Sequence, residues 1–214
     1  MRPKLQIALD LQSTQAALDI LTPDLVEAVD IVEVGTVLLA AEGAHAIKAL
    51  RKHIGPEKAL VADFKIADAG KMLSRSFFEA GADITTVIAA ADLATMRLVH
   101  EVAEELGKIA QIELYGKWDW DLAQEWRGTG IQQIIYHQPR DVVANWTDAD
   151  LEKIKRLNNL GFLVNVTGGV KLDTLERFQN LDVYSFILGR ALYQAEHPAA
   201  YAKALQDRVT ELFG

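Results

Sequence analysis

The chain has 214 residues, half of them hydrophobic and 24% charged, with 22 Lys+Arg against 30 Asp+Glu and no cysteine. That composition is globular, and a chain of this length buries about 70% of the surface its unfolded form exposes. The missing cysteines exclude a disulfide framework, thiolate metal sites and thiol nucleophiles, and the net charge of −8 lacks the basic footprint of a nucleic-acid binder.

The N-terminal apolar run ends at Asp10, too early for a signal-peptide core. No apolar stretch reaches the ~18 residues of a membrane span. The expectation is a cytoplasmic protein with neither membrane nor nucleic-acid partner.

Short β-rich runs alternate with longer segments of helical period. In chain order the predicted strands are Leu5–Asp10, Ile31–Gly35, Ala59–Ile66, Ile84–Ile88, Ala110–Leu114, Gln133–His137, Leu163–Gly168 and Tyr184–Gly189. Near-continuous apolar runs of this kind mark parallel strands buried on both faces. Amphipathic helices are predicted over Thr14–Ala28, Glu42–His53, Leu93–Leu106, Asp119–Arg127, Asp148–Asn159 and Ala199–Phe213. Asp92 is a candidate N-cap, Thr147 with Asp150 resembles a capping box, and Pro198 suits a first helical turn.

Eight strands and eight helices in strict alternation predict a parallel sheet. The spacing is about 27 residues per unit, near the minimum for a (β/α)8 TIM barrel. A doubly wound dinucleotide fold would carry a Gly-rich first turn, but that turn reads Asp10-Leu11-Gln12-Ser13. No linker or low-complexity tract divides the chain, so residues 1–214 are read as a single barrel domain.

Catalytic groups of such barrels sit at the C-terminal strand ends. Asp10 ends the first strand, and Glu33 lies in the second. Asp63 and Lys65 lie in the third, with Asp68 just beyond. Glu113, His137, Thr167-Gly168-Gly169 and Gly189-Arg190 end strands five to eight. Strand four, ending at Val87-Ile88, offers no comparable group.

Asp10 alone reads equally well as a helix N-cap. Glu33 is harder to dismiss, because it interrupts an apolar run and a buried unpaired carboxylate is costly. Asp63 and Lys65, two apart, share one side of the strand and could form a structural ion pair. Asp68 makes the group denser than such a pair requires. Glu33 and Asp63 on neighbouring strands can hold Mg²⁺ through oxygen ligands. Lys65 between carboxylates stays protonated and can stabilise a forming enediolate. His137 is the acid–base candidate. The two glycine-containing loops with Arg190 suit a phosphate.

Asp63-Phe64-Lys65-Ile66-Ala67-Asp68 resembles the Asp-x-Lys-x-x-Asp signature of the orotidine monophosphate decarboxylase suprafamily. Within it, the chain resembles the 3-keto-L-gulonate-6-phosphate decarboxylase family from end to end. The supporting stretches are Ala8-Leu9-Asp10, Val32-Glu33-Val34-Gly35-Thr36, Gln111-Ile112-Glu113-Leu114, Tyr136-His137-Gln138-Pro139-Arg140, Val166-Thr167-Gly168-Gly169 and Leu188-Gly189-Arg190. The resemblance implies a homodimeric barrel with shared active sites. It also implies Mg²⁺-dependent decarboxylation of 3-keto-L-gulonate 6-phosphate to L-xylulose 5-phosphate, in L-ascorbate utilisation.

By the same resemblance Glu33 and Asp63 ligate the metal, Asp10 contacts substrate hydroxyls and Lys65 faces the enediolate. Asp68 comes from the partner subunit. His137 and Arg140 position the protonating water, supported by Glu113. Gly169, Gly189 and Arg190 grip the phosphate, beside Thr167 and Gly168. Phe64 and Tyr115 receive no role. Hexulose-6-phosphate synthase is the nearest rival, with the same metal and enediolate but an aldol reaction with formaldehyde. Glu113, Arg140 and Thr167 favour the decarboxylase side. A non-catalytic sugar-phosphate-binding barrel is a third reading, disfavoured by the intact acid–lysine–acid array.

Overall fold

The computed structural model describes residues 2–139, 141 and 145–214. Eight parallel strands close into a barrel in sequence order. They are β1 (Lys4–Leu9), β2 (Ile31–Val34), β3 (Ala59–Ile66), β4 (Ile84–Ile88), β5 (Ile109–Glu113), β6 (Gln133–His137), β7 (Leu163–Thr167) and β8 (Val183–Leu188). Closure comes from β1 against β8, with Gln6 opposite Ile187. The predicted (β/α)8 architecture is the observed one.

Alternation along each strand sorts the side chains. Leu5, Ile7, Leu9, Val32, Val34, Leu60 and Ala62 face the helices and join the main apolar core. The other set faces the barrel interior. Ile31, Val61 and Ile84 close its lower end, and Ala8, Ile135 and Ile187 meet higher up. Between them lies a buried polar layer in which Gln111 Nε2 donates to Gln133 Oε1 at 2.7 Å and Ser185 Oγ to Asn165 Oδ1 at 2.6 Å.

The helices are α1 (Thr14–Ile20), α2 (Pro23–Ala28), α3 (Thr36–Glu42), α4 (Ala44–Ile54), α5 (Gly70–Glu79), α6 (Leu93–Glu105), α7 (Trp120–Arg127), α8 (Asp148–Asn159), α9 (Arg190–Tyr193) and α10 (Pro198–Phe213). A 3-10 turn, Leu172–Phe178, follows β7. Two predicted helices are broken. The predicted Thr14–Ala28 segment ends at Leu21 and restarts where the Thr22 side chain caps the Leu25 N–H, with Pro23 in the new first turn. Gly43, at φ 58°, separates α3 from α4, so the segment predicted from Glu42 starts two residues later. The Thr147–Asp150 capping box and the Asp92 cap are present as predicted. Pro198 opens α10.

Below the barrel, Asp83 ties three strands. Its backbone carbonyl accepts the Ile109 N–H at 3.0 Å, and its Oδ2 accepts the Leu60 N–H, also at 3.0 Å. Arg51 and Lys108 pair with the same carboxylate. The opposite end of the barrel is thereby left to the βα loops. Among the described residues, no helix is long and apolar enough to cross a membrane.

Candidate active site

The C-terminal strand ends open into a cavity of about 910 Å³. Its lining brings together Asp10, Glu33, Asp63, Lys65, Glu113, His137, Thr167, Gly168, Gly169, Gly189 and Arg190. Eleven predicted site residues thus share one cavity, although they come from seven strands or the loops after them. Asp68 does not line it. That side chain is exposed beyond β3, where its Oδ1 accepts the Ala69 N–H at 2.7 Å. Arg140 lies outside the described residues.

Lys65 is the centre of the site. Its ammonium bonds Asp63, donates to Thr36 Oγ1 at 2.6 Å and pairs with Glu113 Oε2 at 3.1 Å. The backbone places it there unusually. Lys65 adopts φ 56°, a left-handed conformation rare for a side chain of this size, and the β3–β4 register shifts between Ala62 and Ile66. The displaced Lys65 N–H is taken by Thr86 Oγ1 at 2.8 Å, and the same hydroxyl donates to Asp63 Oδ1 at 2.7 Å. Thr86 corrects the reading of β4 as a strand without a contributing group. Thr36 was equally missed as a functional side chain; it donates to Asp63 Oδ2 at 2.7 Å. The signal for Thr86 was available, because Thr85-Thr86 interrupts an apolar run as Glu33 does.

Burial opposes charge on Lys65, but Asp63 and Glu113 outweigh it and hold the ammonium protonated well above its ordinary value. Burial would raise Asp63 too, yet the Lys65 charge and its hydrogen bonds hold that carboxyl below the usual range. Glu33 and Glu113 go the other way. Both are pushed up by burial and then by the Asp63 charge.

Glu33 is fixed from below, where Gln6 Nε2 donates to its Oε2 at 2.5 Å. It faces the cavity beside Asp63 and Asp10, whose charges both oppose its ionisation. Such crowding of hard oxygen donors is what a divalent cation relieves. Mg²⁺ characteristically takes one or two carboxylates and completes its shell with water and substrate oxygens. Glu33 and Asp63 fit that pattern. Among the described residues, no group of three or more His, Asp or Glu side chains forms an all-protein metal cage.

On the other side of Lys65, Glu113 Oε1 bonds His137 Nδ1 at 2.6 Å. His137 Nε2 bonds the Tyr115 hydroxyl at 3.1 Å. Burial and then the Lys65 charge lower the His137 pKa to about 4, so the ring is neutral at pH 7. At the far rim Gly168 and Gly169 both adopt positive φ. A Cβ at Gly168 would stand 2.2 Å from the Gln138 carbonyl oxygen, so only glycine lets these loops close. Gly189, Arg190 and Lys171 complete this rim, which has the backbone access and charge for an anionic group.

Residues 3–205 match the sequence profile of the family described as Orotidine 5'-phosphate decarboxylase / HUMPS family. The chain is 46% identical over 215 aligned positions to the 3-keto-L-gulonate-6-phosphate decarboxylase UlaD of Escherichia coli O17:K52:H18, covering 99% of each chain. Its fold superposes on a crystal structure of KGPDC from Streptococcus mutans with a TM-score of 0.96, at 39% identity and full coverage of both chains. It also superposes on 3-hexulose-6-phosphate synthase from Salmonella typhimurium with a TM-score of 0.90, at 29% identity, covering 97% of this chain and 99% of that one.

Proposed function

We propose, because the chain belongs to the Orotidine 5'-phosphate decarboxylase / HUMPS family, that it decarboxylates 3-keto-L-gulonate 6-phosphate to L-xylulose 5-phosphate in the utilisation of L-ascorbate. The observation that carries this reading is the Lys65 ammonium, held between Asp63 and Glu113 and facing the cavity. When the bond to the substrate carboxylate breaks, CO2 leaves and its electron pair passes into an enediolate. A fixed cation stabilises that charge more than it stabilises the substrate.

Each remaining residue has a part. Thr167, Gly168, Gly169, Gly189 and Arg190 hold the phosphate end at the β7–β8 rim. Asp10 meets the substrate hydroxyls. Glu33 and Asp63 would hold Mg²⁺, which when bound supplies a Lewis acid to the enediolate oxygens. Thr36 and Thr86 keep the Asp63 carboxylate aimed by hydrogen bonds to its two oxygens. Glu113, His137 and Arg140 serve the protonation that follows loss of CO2. The working unit is a homodimer in the cytoplasm, each chain lending Asp68 to its partner's site.

Hexulose-6-phosphate synthase chemistry is the second reading, supported by the likeness to the Salmonella synthase. It would generate an enediolate in the same cavity and add it to formaldehyde. Purified protein with Mg²⁺ and 3-keto-L-gulonate 6-phosphate should release CO2. Consumption of formaldehyde with ribulose 5-phosphate, and no CO2 release, would assign the synthase instead.

A further inference from the structure

Gln6 lies on β1, fully buried, two residues before Ala8 and on the same inward face of the strand. Ala8 stands opposite Glu33 in the β1–β2 register, and Gln6 stands one level lower, opposite Ile31. The methyl group of Ala8 gives Glu33 no polar support at its own level. That support comes diagonally from below, where Gln6 Nε2 donates to Glu33 Oε2 at 2.5 Å. Gln6 Oε1 is buried as well, yet among the described residues it has no hydrogen-bond partner. An apolar side chain of similar length would fill the space without that cost. The amide is therefore explained by its N–H, and the side-chain acceptor of that N–H is Glu33.

Resting on the reading of Glu33 as a Mg²⁺ ligand, we infer that Gln6 is a positioning residue: its amide holds the Glu33 carboxylate in the rotamer that faces the metal, and so sets how tightly Mg²⁺ is bound. Glu33 has three side-chain torsions, and a ligand that is free to turn must be ordered each time the ion arrives. The charges of Asp63 and Asp10 also repel an ionised Glu33. The bond to Gln6 holds the carboxylate in place against that repulsion. Asp63 is held in a comparable way by the hydroxyls of Thr36 and Thr86. Each carboxylate thus has a neutral donor behind it. Gln6 does not line the cavity, so it acts through Glu33 alone.

Mg²⁺ binding can be measured apart from turnover. In the full-length protein, Gln6→Met keeps an unbranched side chain of similar length and removes the donor. Calorimetry should show Mg²⁺ bound about 10–100-fold more weakly than by wild type, the usual scale for the partner of a metal ligand. The Mg²⁺ concentration giving half-maximal CO2 release should rise by the same factor. At saturating Mg²⁺, kcat should return to within about threefold of wild type, because only binding of the ion has been weakened. Gln111→Met is the comparison. Gln111 is another fully buried interior amide with an unpartnered oxygen, but its N–H serves Gln133. That change should lower the unfolding temperature and leave Mg²⁺ affinity within about twofold of wild type.

Unchanged Mg²⁺ affinity in Gln6→Met would overturn the inference. So would an equal loss in Gln6→Met and Gln111→Met, which would assign the effect to the interior layer as a whole. Should Gln6→Met fail to fold, Gln6→Asn supplies a second variant, with the amide kept but withdrawn from Glu33 by one carbon. Mg²⁺ should then raise its unfolding temperature less than it raises that of wild type. An undiminished rise counts against the inference. A wild type that binds no Mg²⁺ brings down the metal reading and this inference with it. A wild type that binds Mg²⁺, with Gln6 variants that bind it equally well, removes only the inference.

Discussion

The hydroxyl of Thr86 accepts the backbone N–H of Lys65 at 2.8 Å across the break in the β3–β4 ladder. The bulge that turns Lys65 into the cavity frees a backbone donor, and a side chain on the neighbouring strand satisfies it. Thr86→Val keeps the shape but removes this acceptor and the bond to Asp63. The expected loss is about 1–3 kcal/mol of stability, from the buried groups left unpaired. Thr86→Ser should recover most of it. Denaturant titration of both variants checks the pattern, and equal stability of Val and wild type would contradict it.

Metal dependence is the prediction drawn from Glu33 and Asp63, which line the same cavity. Chelation should abolish turnover, and added Mg²⁺ should restore it. Glu33→Gln should bind Mg²⁺ more weakly in calorimetry while keeping the wild-type circular dichroism spectrum. Full activity in excess chelator would remove the metal from the reaction.

Lys65 should act on the barrier rather than on binding. One preorganised charge donor is worth about 3–4 kcal/mol, or ~10²–10³ in rate. Lys65→Ala should lower kcat by at least that order with a modest change in KM. A variant in which KM alone rises would make Lys65 a binding residue.

Asp68 stands outside its own chain's cavity, exposed beyond β3. If it completes the partner's site, chains carrying Lys65→Ala and Asp68→Ala should complement each other. A mixed dimer holds one site with both residues intact. Co-expression with separate affinity tags isolates the heterodimer. Inactivity of a verified heterodimer would show that the site is not shared.

The lower end of the barrel should carry a pH dependence of its own. Burial would raise the Asp83 pKa, but Lys108, the Leu60 N–H and Arg51 together lower it below the ordinary value. A carboxyl depressed on folding contributes stability above its unfolded pKa, and that contribution is lost as pH falls through the folded value. Asp83→Asn should cost about 1–2 kcal/mol at pH 7, allowing for partial exposure. The gap to wild type should close as the pH drops below the carboxylate range. Thermal unfolding of both proteins from pH 7 to pH 3 measures it, and a gap independent of pH would refute the assignment.

Strand order and barrel closure were legible because every strand is an apolar run of four to eight residues and five of the seven crossovers carry a segment of helical period. Parallel strands joined by right-handed crossovers leave few arrangements open. Helix breaks were less legible. A Pro23 or a Gly43 inside a periodic segment marks a possible stop, but only the dihedral at Gly43 decides that the chain turns there.

The candidate site divides along similar lines. Ionisable residues at strand ends are visible in one dimension, because a charge inside an apolar run demands a reason. Glu33, Asp63, Lys65, Glu113 and His137 were found that way, and all face one cavity. Thr36, Thr86 and Tyr115 were not, since hydroxyl groups are common in strands and loops and cost less to bury than a charge, so that Thr85-Thr86 inside an apolar run is a weaker signal than Glu33. Their importance lies in partners 21 to 29 residues away in sequence. The sequence by itself determined the barrel and the charged side chains at its mouth, because periodicity and the cost of buried charge are local properties. Only the tertiary structure decided which hydroxyl takes the N–H of Lys65 and which phenol bonds His137, because closing the barrel sets those distances.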